Sequence, residues 1–231
     1  ESLLSKAAIP ASEARIFRAV SLLEGGFDAV NTYDTGFVSI GFLQFASLKE
    51  GGGSLGEMML RYKSEDPQSF TADFRRFGID VTPKGLLAVV EPKGGEIRIG
   101  SEANTAIIQD PRLVAVFGRA CRFAPFRIAQ LKAARTLYYP GEVVITLKLP
   151  DRVLAGKVKE IVKSEAGMAI LMDRKVNTGR MGNLTDILFE IATANNLRRF
   201  SDLANYERAI VEPLIYRVNT LKDPTLSQPA H

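Results

Sequence analysis

The sequence predicts a mainly helical α+β fold, one domain with two lobes, and three observations carry that prediction. Apolar residues recur at helical spacing in several separate stretches; short aromatic and β-branched runs stand beside glycine and proline turns; and one stretch, 165–176, is apolar nearly all round. With 231 residues, 46% of them hydrophobic, the chain can bury a substantial core.

Taken in order, Ser12 caps a first helix whose stripe is Ile16, Phe17, Ala19, Val20, Leu22 and Leu23, and Gly25-Gly26 stops it. Glu24 then falls on the last turn, where the helix dipole and desolvation both oppose a negative charge and push its pKa upward. Residues 27–45 mix aromatic and β-branched side chains around Asp34-Thr35-Gly36, a turn signal, which predicts a small hairpin or irregular sheet carrying Asp34 and Ser39. Gly51-Gly52-Gly53 reads as a flexible loop and Ser54 as the start of a helix. Asp66-Pro67 opens another, with Phe70, Phe74 and Phe77 as core. A second hairpin is predicted from 86–91 and 96–99, and a basic helical segment from Asp110-Pro111, broken at Pro125 and finished before Pro140. Farther on, 143–149 reads as extended, 153–162 as a helix, and 165–176 as a central helix buried on every side. Amphipathic helices follow at 184–194 and 202–218, and 223–231 reads as tail; the lobes are expected at 10–110 and 111–222.

Composition excludes several chemistries. The one histidine, His231, stands at the last position, so a Ser-His-Asp or Cys-His nucleophile has no base. One cysteine, Cys121, cannot form an intramolecular disulfide, and with one terminal histidine it cannot build a zinc site; it is expected to be buried and inert, and neither metal nor cofactor is expected. Glu50-Gly51-Gly52-Gly53-Ser54 lacks the lysine and spacing of a phosphate loop. No apolar run approaches the roughly 18 to 20 residues of a membrane span, and the N-terminal segment lacks the basic start and apolar stretch of a signal peptide. Any chemistry therefore falls to carboxylates. Glu24, Asp34 ten residues later and Ser39 five residues after that, all among glycines, supply two acids in differing environments and a hydroxyl that can hold a water, the equipment of a glycosidase.

The formal charge is +4, and no acid occurs between Asp110 and Glu142, while Arg112, Arg119, Arg122, Arg127, Lys132 and Arg135 fall in that window. Such a face would attract an anionic polymer unless counter-charges from elsewhere in the fold meet it. Nucleic acid is the weaker candidate, since no zinc finger, RNP-type strand or helix-turn-helix signature accompanies the charge.

Around Glu24-Gly25, Tyr33-Asp34-Thr35-Gly36 and Ser39-Ile40-Gly41 the chain resembles phage-type lysozymes, whose motif is a helix-borne Glu, an Asp, and a Thr or Ser before Ile-Gly. Gly41-Phe42-Leu43-Gln44-Phe45 is similar to an element of lytic transglycosylases, and chitosanases share the wider superfamily with a comparable helix Glu and hairpin Asp. The likeness covers about twenty residues closely, with a Glu to Asp interval one residue longer and an Asp to hydroxyl interval one shorter than in the phage-type pattern. It implies a two-lobed, mainly helical fold with a small β-hairpin beside a sugar-polymer cleft. Glu24 would protonate the glycosidic oxygen, and Asp34 and Ser39 would activate a water on the opposite face, an inverting arrangement needing carboxyl groups roughly 6.5 to 9.5 Å apart. Tyr33, Gln44, Asn177 and Arg180 are the candidates for the cleft wall. The expectation is a muramidase acting on peptidoglycan outside the cytoplasm, extracellular or periplasmic, and working as a monomer. The alternatives are a chitosanase, a lytic transglycosylase, or a noncatalytic wall-binding domain.

Overall fold

The structure is a computed structural model and describes residues 2–22, 24–32, 37–91 and 95–230. Among the described residues 54% are helical and 12% lie in strands, which makes the fold mainly helical with small antiparallel sheets, as the sequence predicts. By its internal contacts the chain divides into two units, Glu1–Ile9 with Ser21–Leu137, and Pro10–Val20 with Tyr138–His231. The division thus falls at 137/138, and the segments on either side of 110/111 lie together in the first unit.

The first unit opens with α1 (Leu3–Lys6) and takes up the chain again at Ser21, the last residue of α2 (Ala11–Ser21). The helix therefore ends earlier than Gly25-Gly26 suggested: Glu24 lies three residues beyond it, its N–H still donating to the Ser21 carbonyl at 3.0 Å. Leu22, expected in the apolar stripe, is exposed, and Leu23 lies outside the described residues. Next come three two-residue strands, β1 (Val30–Asn31), β2 (Ser39–Ile40) and β3 (Phe45–Ala46), paired antiparallel in that order. Of the hairpin or irregular sheet expected here, the structure has a minimal three-stranded sheet.

Gly51-Gly52-Gly53 is not a flexible loop but a packed junction. Gly51 and Gly53 have φ of +76° and +61°, and a Cβ on Gly51 would lie 2.2 Å from the Gly100 carbonyl oxygen. α3 (Gly53–Glu65) begins there, and α4 (Pro67–Asp73) follows with Asp66 capping Ser69 N–H at 3.0 Å. Tyr62 on α3 and Phe70, Phe74, Phe117 and Phe126 form an aromatic cluster with ring centroids 4.9 to 6.3 Å apart, the centre of this unit's core. The Tyr62 hydroxyl donates to Asp73 at 2.8 Å; burial pushes the Asp73 carboxyl up and the Tyr62 hydroxyl up with it.

A second antiparallel sheet, β4 (Ile79–Val81), β5 (Leu87–Val90) and β6 (Ile97–Ile99), contains the predicted second hairpin and adds β4, whose three residues are too few for periodicity to reveal. Two helices, α5 (Ser101–Gln109) and α6 (Pro111–Ala120), follow, α6 capped by Asp110. The basic segment then breaks at 121–123, not at Pro125, which occupies the first turn of α7 (Ala124–Ala133). Cys121 is fully buried, and burial pushes its thiol up to about 12, the inert state expected.

In the second unit β7 (Val144–Lys148) pairs with β8 (Val153–Lys157), so the helix predicted over 153–162 is a strand followed by the short α8 (Val158–Ile161). The hairpin closes through Leu149 N–H on the Arg152 carbonyl at 2.9 Å, and Gly156 lets Phe200 approach where a Cβ would sit 2.3 Å from its ring. Both features favour the ribbon over a helix with an interior glycine. Glu142, just before β7, accepts from Lys157 at 2.7 Å and Lys159 at 2.6 Å, and these cations hold its carboxyl down to about 2. A depressed carboxylate contributes stability that is complete above its ordinary value of 4.5 and is lost as pH falls through about 2. The expected NMR titration midpoint for Glu142 is accordingly near 2 at low salt, rising toward the ordinary value when Lys157 and Lys159 are both changed to Met. A midpoint already at the ordinary value in the wild type would show that the bridge does not form in solution.

α9 (Glu165–Thr178) is buried at every residue from Glu165 to Asp173, as its apolar sequence requires. Its N-terminus is closed by buried polar groups: Ser164 N–H and Oγ both donate to Glu207, at 2.9 and 2.5 Å, and Ser164 Oγ accepts from Gly167 N–H. α10 (Leu184–Ala194) has the predicted bounds. The long helix expected at 202–218 is instead a 3-10 stretch Phe200–Tyr206, the short α11 (Glu207–Val211) and a 3-10 turn ending at Leu214, with Pro213 beyond α11 unable to donate to a helical carbonyl. Residues 223–230 are not a loose tail. Leu226 is buried, Ser227 Oγ accepts from Glu165 N–H at 2.9 Å, and Ser227 N–H donates to the Glu165 carboxylate, which Arg15 also binds.

No helix among the described residues is long and apolar enough to cross a membrane.

Candidate functional site

The segment that the sequence singles out runs from α2 through Glu24 into the first sheet. Glu24 is half-buried in the turn after α2, and the Gly25–Ala29 loop leads directly into β1. Ala29 then fixes this loop to the far side of the hairpin, its carbonyl accepting Gly41 N–H at 2.8 Å. Ser39, on β2 opposite Asn31 and Ala46, is 8% exposed, and no hydrogen bond engages its hydroxyl among the described residues. Nearby Ser47 is the contrast: fully buried, it accepts Val38 N–H at 3.0 Å and donates to Asn104 at 2.7 Å, a structural hydroxyl with nothing left to offer. Among the described residues nothing competes with a water for the Ser39 hydroxyl. Tyr33 and Asp34 lie outside the described residues, in the connection from β1 to β2.

Gln44 has a structural occupation. Its backbone N–H and its side-chain amide each donate to the Gly41 carbonyl at 3.0 Å, closing the 41–44 turn in a conformation with φ of 49° at Gln44. Asn177 and Arg180 belong to the second unit, at the end of α9. Asn177 donates to the Asp173 carbonyl and carboxylate and accepts from Arg217 at 2.7 Å, so its amide is spent on capping its own helix. Asp173, buried, also receives Arg217 N–H at 3.0 Å, while the exposed Arg180 guanidinium has no partner among the described residues. The polar cluster at the end of α9 thus reads as satisfied capping.

The sequence reading missed Gln130. This fully buried side chain on α7 donates to the Phe27 carbonyl at 3.1 Å and accepts Phe42 N–H at 3.4 Å, joining the loop after Glu24 to the turn after β2. Gly41 is what lets it in: with φ of +81°, a Cβ there would fall 2.1 Å from Gln130 Oε1. The Phe27 and Phe42 rings meet at 4.9 Å, tilted by 48°, with Phe45 edge-on to Phe42. Replacing Gln130 by Leu leaves a carbonyl and an N–H unsatisfied among these rings and is expected to cost about 2 kcal/mol in chemical denaturation. A loss below about 0.5 kcal/mol would mean that the amide does not hold the loop.

Half of the basic window, Arg112, Arg119 and Lys132, is paired with acids within the first unit. Arg112 closes on Asp110, Arg119 on Asp73 and the carbonyls of Ala72 and Asp73, Arg127 on the Cys121 carbonyl, Lys132 on Glu65, and Arg135 on the Ala8 carbonyl. Arg119 also lies over the Phe77 ring at 4.4 Å. The acids that meet Arg119 and Lys132 come from other elements, whereas the carbonyls that receive Arg127 and Arg135 leave those charges in place, and Arg122 is exposed.

Compared with protein-family models, with curated proteins and with solved structures, the chain matches none.

Proposed function

We propose that this protein is a glycoside hydrolase that cleaves the glycan of bacterial peptidoglycan, with Glu24 as general acid and with Asp34 and Ser39 positioning the attacking water. The observation that carries the proposal is the Ser39 hydroxyl, uncommitted among the described residues, on the strand that directly follows the Asp34 connection, in a sheet reached from the Glu24 turn through one five-residue loop. A general acid and a water-holding group on separate short elements suit an inverting displacement, in which acid and base work on opposite faces of the sugar. Gln130 and Gly41 act as positioning residues, holding the Glu24 loop against the hairpin.

The net charge of +4 favours a polyanionic wall over the polycationic chitosan by summed field. It is the overall balance that supports this, since acids meet half of the local basic window. The decisive experiment incubates the protein with purified peptidoglycan and, separately, with chitosan, and identifies soluble products by mass spectrometry. Reducing muropeptides are expected. Anhydro-sugars would instead make it a lytic transglycosylase and glucosamine oligomers a chitosanase; retention on the wall without any product would make it a wall-binding domain.

A further inference from the structure

Between the second sheet and the helices packed on it, the first unit holds a cleft of about 530 Å³ that shares no residue with the Glu24–Gln44 segment. Its floor is apolar: Val89 on β5, Ala106 on α5, and Leu113 and Val116 on α6, with Phe77 at one end. Its mouth is charged. Arg98 stands directly across the strand pair from Val89, and Glu91 and Glu96 follow just past the end of that pairing. Arg76 and the Asp110–Arg112 pair complete the rim.

The charges are unevenly committed. Arg112 binds both carboxylate oxygens of Asp110, at 3.1 and 2.8 Å, so that pair is closed. Arg76 rests on the Phe77 ring at 4.5 Å but makes no ion pair, and Arg98, half-buried on the sheet, has neither a hydrogen bond nor an ion pair among the described residues. Glu91 and Glu96 likewise lack a cationic partner among them. Two guanidinium groups and two carboxylates thus face one apolar slot without neutralising each other. A half-buried guanidinium over an apolar floor is costly unless something anionic meets it, and a planar carboxylate is its best geometric match.

We infer that this cleft is a second binding site, for a short zwitterionic peptide: Arg98 and Arg76 hold its free carboxylate, the Val89–Leu113–Val116 floor takes a small apolar side chain, and Glu91 and Glu96 receive an ammonium group. The cleft has the volume of a ligand site, and its mixed mouth rejects a purely anionic polymer, which the two carboxylates would repel. The peptide stems on wall glycan have this chemistry, carrying alanyl methyls, free carboxylates and an amine on one chain. Identifying the ligand with those stems rests on the proposed wall-hydrolase function, whereas the peptide site itself does not.

The test is calorimetric titration of the full chain with the tetrapeptide L-alanyl-γ-D-glutamyl-L-lysyl-D-alanine and with the same peptide carrying a C-terminal amide. Wild type is expected to bind the free acid at least about 10-fold more tightly than the amide, and Arg98→Gln to lose about 10-fold for the acid alone, the scale of one charge-assisted contact. Glu24→Gln is expected to bind both as wild type does. Equal affinity for acid and amide, unchanged affinity in Arg98→Gln, or no binding at millimolar peptide would each overturn the inference; the ligand-side comparison stands even if the arginine variant folds poorly. Peptide binding by a protein that releases no glycan product would leave the cleft assigned and remove the wall-hydrolase reading. Glycan cleavage without peptide binding would do the reverse.

Discussion

Glu24→Gln is expected to lower the rate of wall-glycan cleavage by at least about 100-fold while leaving the thermal melt unchanged, because a glutamine keeps the shape of the side chain and loses only the transferable proton. The residue sits half-buried in a turn, not in the core, where an isosteric amide is accommodated without repacking. The loss should appear in kcat and not in KM, since the proton is delivered only as the glycosidic bond breaks. Glu24→Asp withdraws the acid by one methylene and should lose nearly as much, given how sharply proton transfer depends on position. Ser39→Ala should cost less, about 10-fold, since a water held by one hydroxyl can be held by other groups. Release of reducing ends from purified wall, measured under saturation, separates these cases. If Glu24→Gln keeps activity within a factor of about three of wild type, the general acid lies elsewhere, and Asp28, exposed four residues farther along the same loop, is the next carboxylate to test.

How far the molecule could be foreseen depends on whether each feature is local. The buried α9 was legible because Ala166 to Met172 offers no polar face, and α10 because its amphipathic period has clear ends. The helix starts at Asp66-Pro67 and Asp110-Pro111 were legible because proline favours a first helical turn, whereas Ser12, expected as a cap, lies inside α2, which begins at Ala11. The ribbon strand β8 was misread because Val153 to Val162 fits both periods over so few residues, and what chooses the strand is pairing with β7 and the approach of Phe200 to Gly156. Gln130 could not be found at all: in sequence it is a polar residue in a basic helix, and its partner Phe27 lies 103 residues away. The counter-charges of Arg119 and Lys132 are hidden for the same reason, Asp73 and Glu65 being supplied by helices far back in the chain. The pattern of acids and hydroxyl around Glu24 was visible because it is compressed into sixteen residues, 24–39; the buried scaffold that orients it is not.

That scaffold has a single point of greatest sensitivity. Gly56→Ala is expected to destabilise the first unit by about 4 kcal/mol, more than any other change considered, because the added Cβ would lie 1.9 Å from the Gly85 carbonyl oxygen. No side chain can swing aside, since the obstacle is backbone. Nor can the turn readily yield. Gly85 N–H donates to the Thr82 carbonyl at 2.9 Å, Leu86 N–H to Thr82 Oγ1 at 3.1 Å, and Leu87 N–H to the Gly51 carbonyl at 2.7 Å, which ties the β4–β5 turn to the start of α3. Ordinarily alanine is the better helix former by about 1 kcal/mol, so intrinsic propensity predicts the opposite sign and the experiment discriminates cleanly. The consequence should reach the segment proposed as the active site, for Ser54 on the same first turn of α3 accepts Ala46 N–H at 3.0 Å and so anchors β3, the strand paired with Ser39. Denaturant unfolding followed by amide exchange at Ile40, Phe45 and Ala46 would register both effects. A Gly56→Ala variant as stable as wild type would mean that α3 and the β4–β5 turn do not meet backbone to backbone; a destabilised variant with unchanged exchange in the first sheet would mean that α3 stabilises the unit without anchoring the strand beside Ser39.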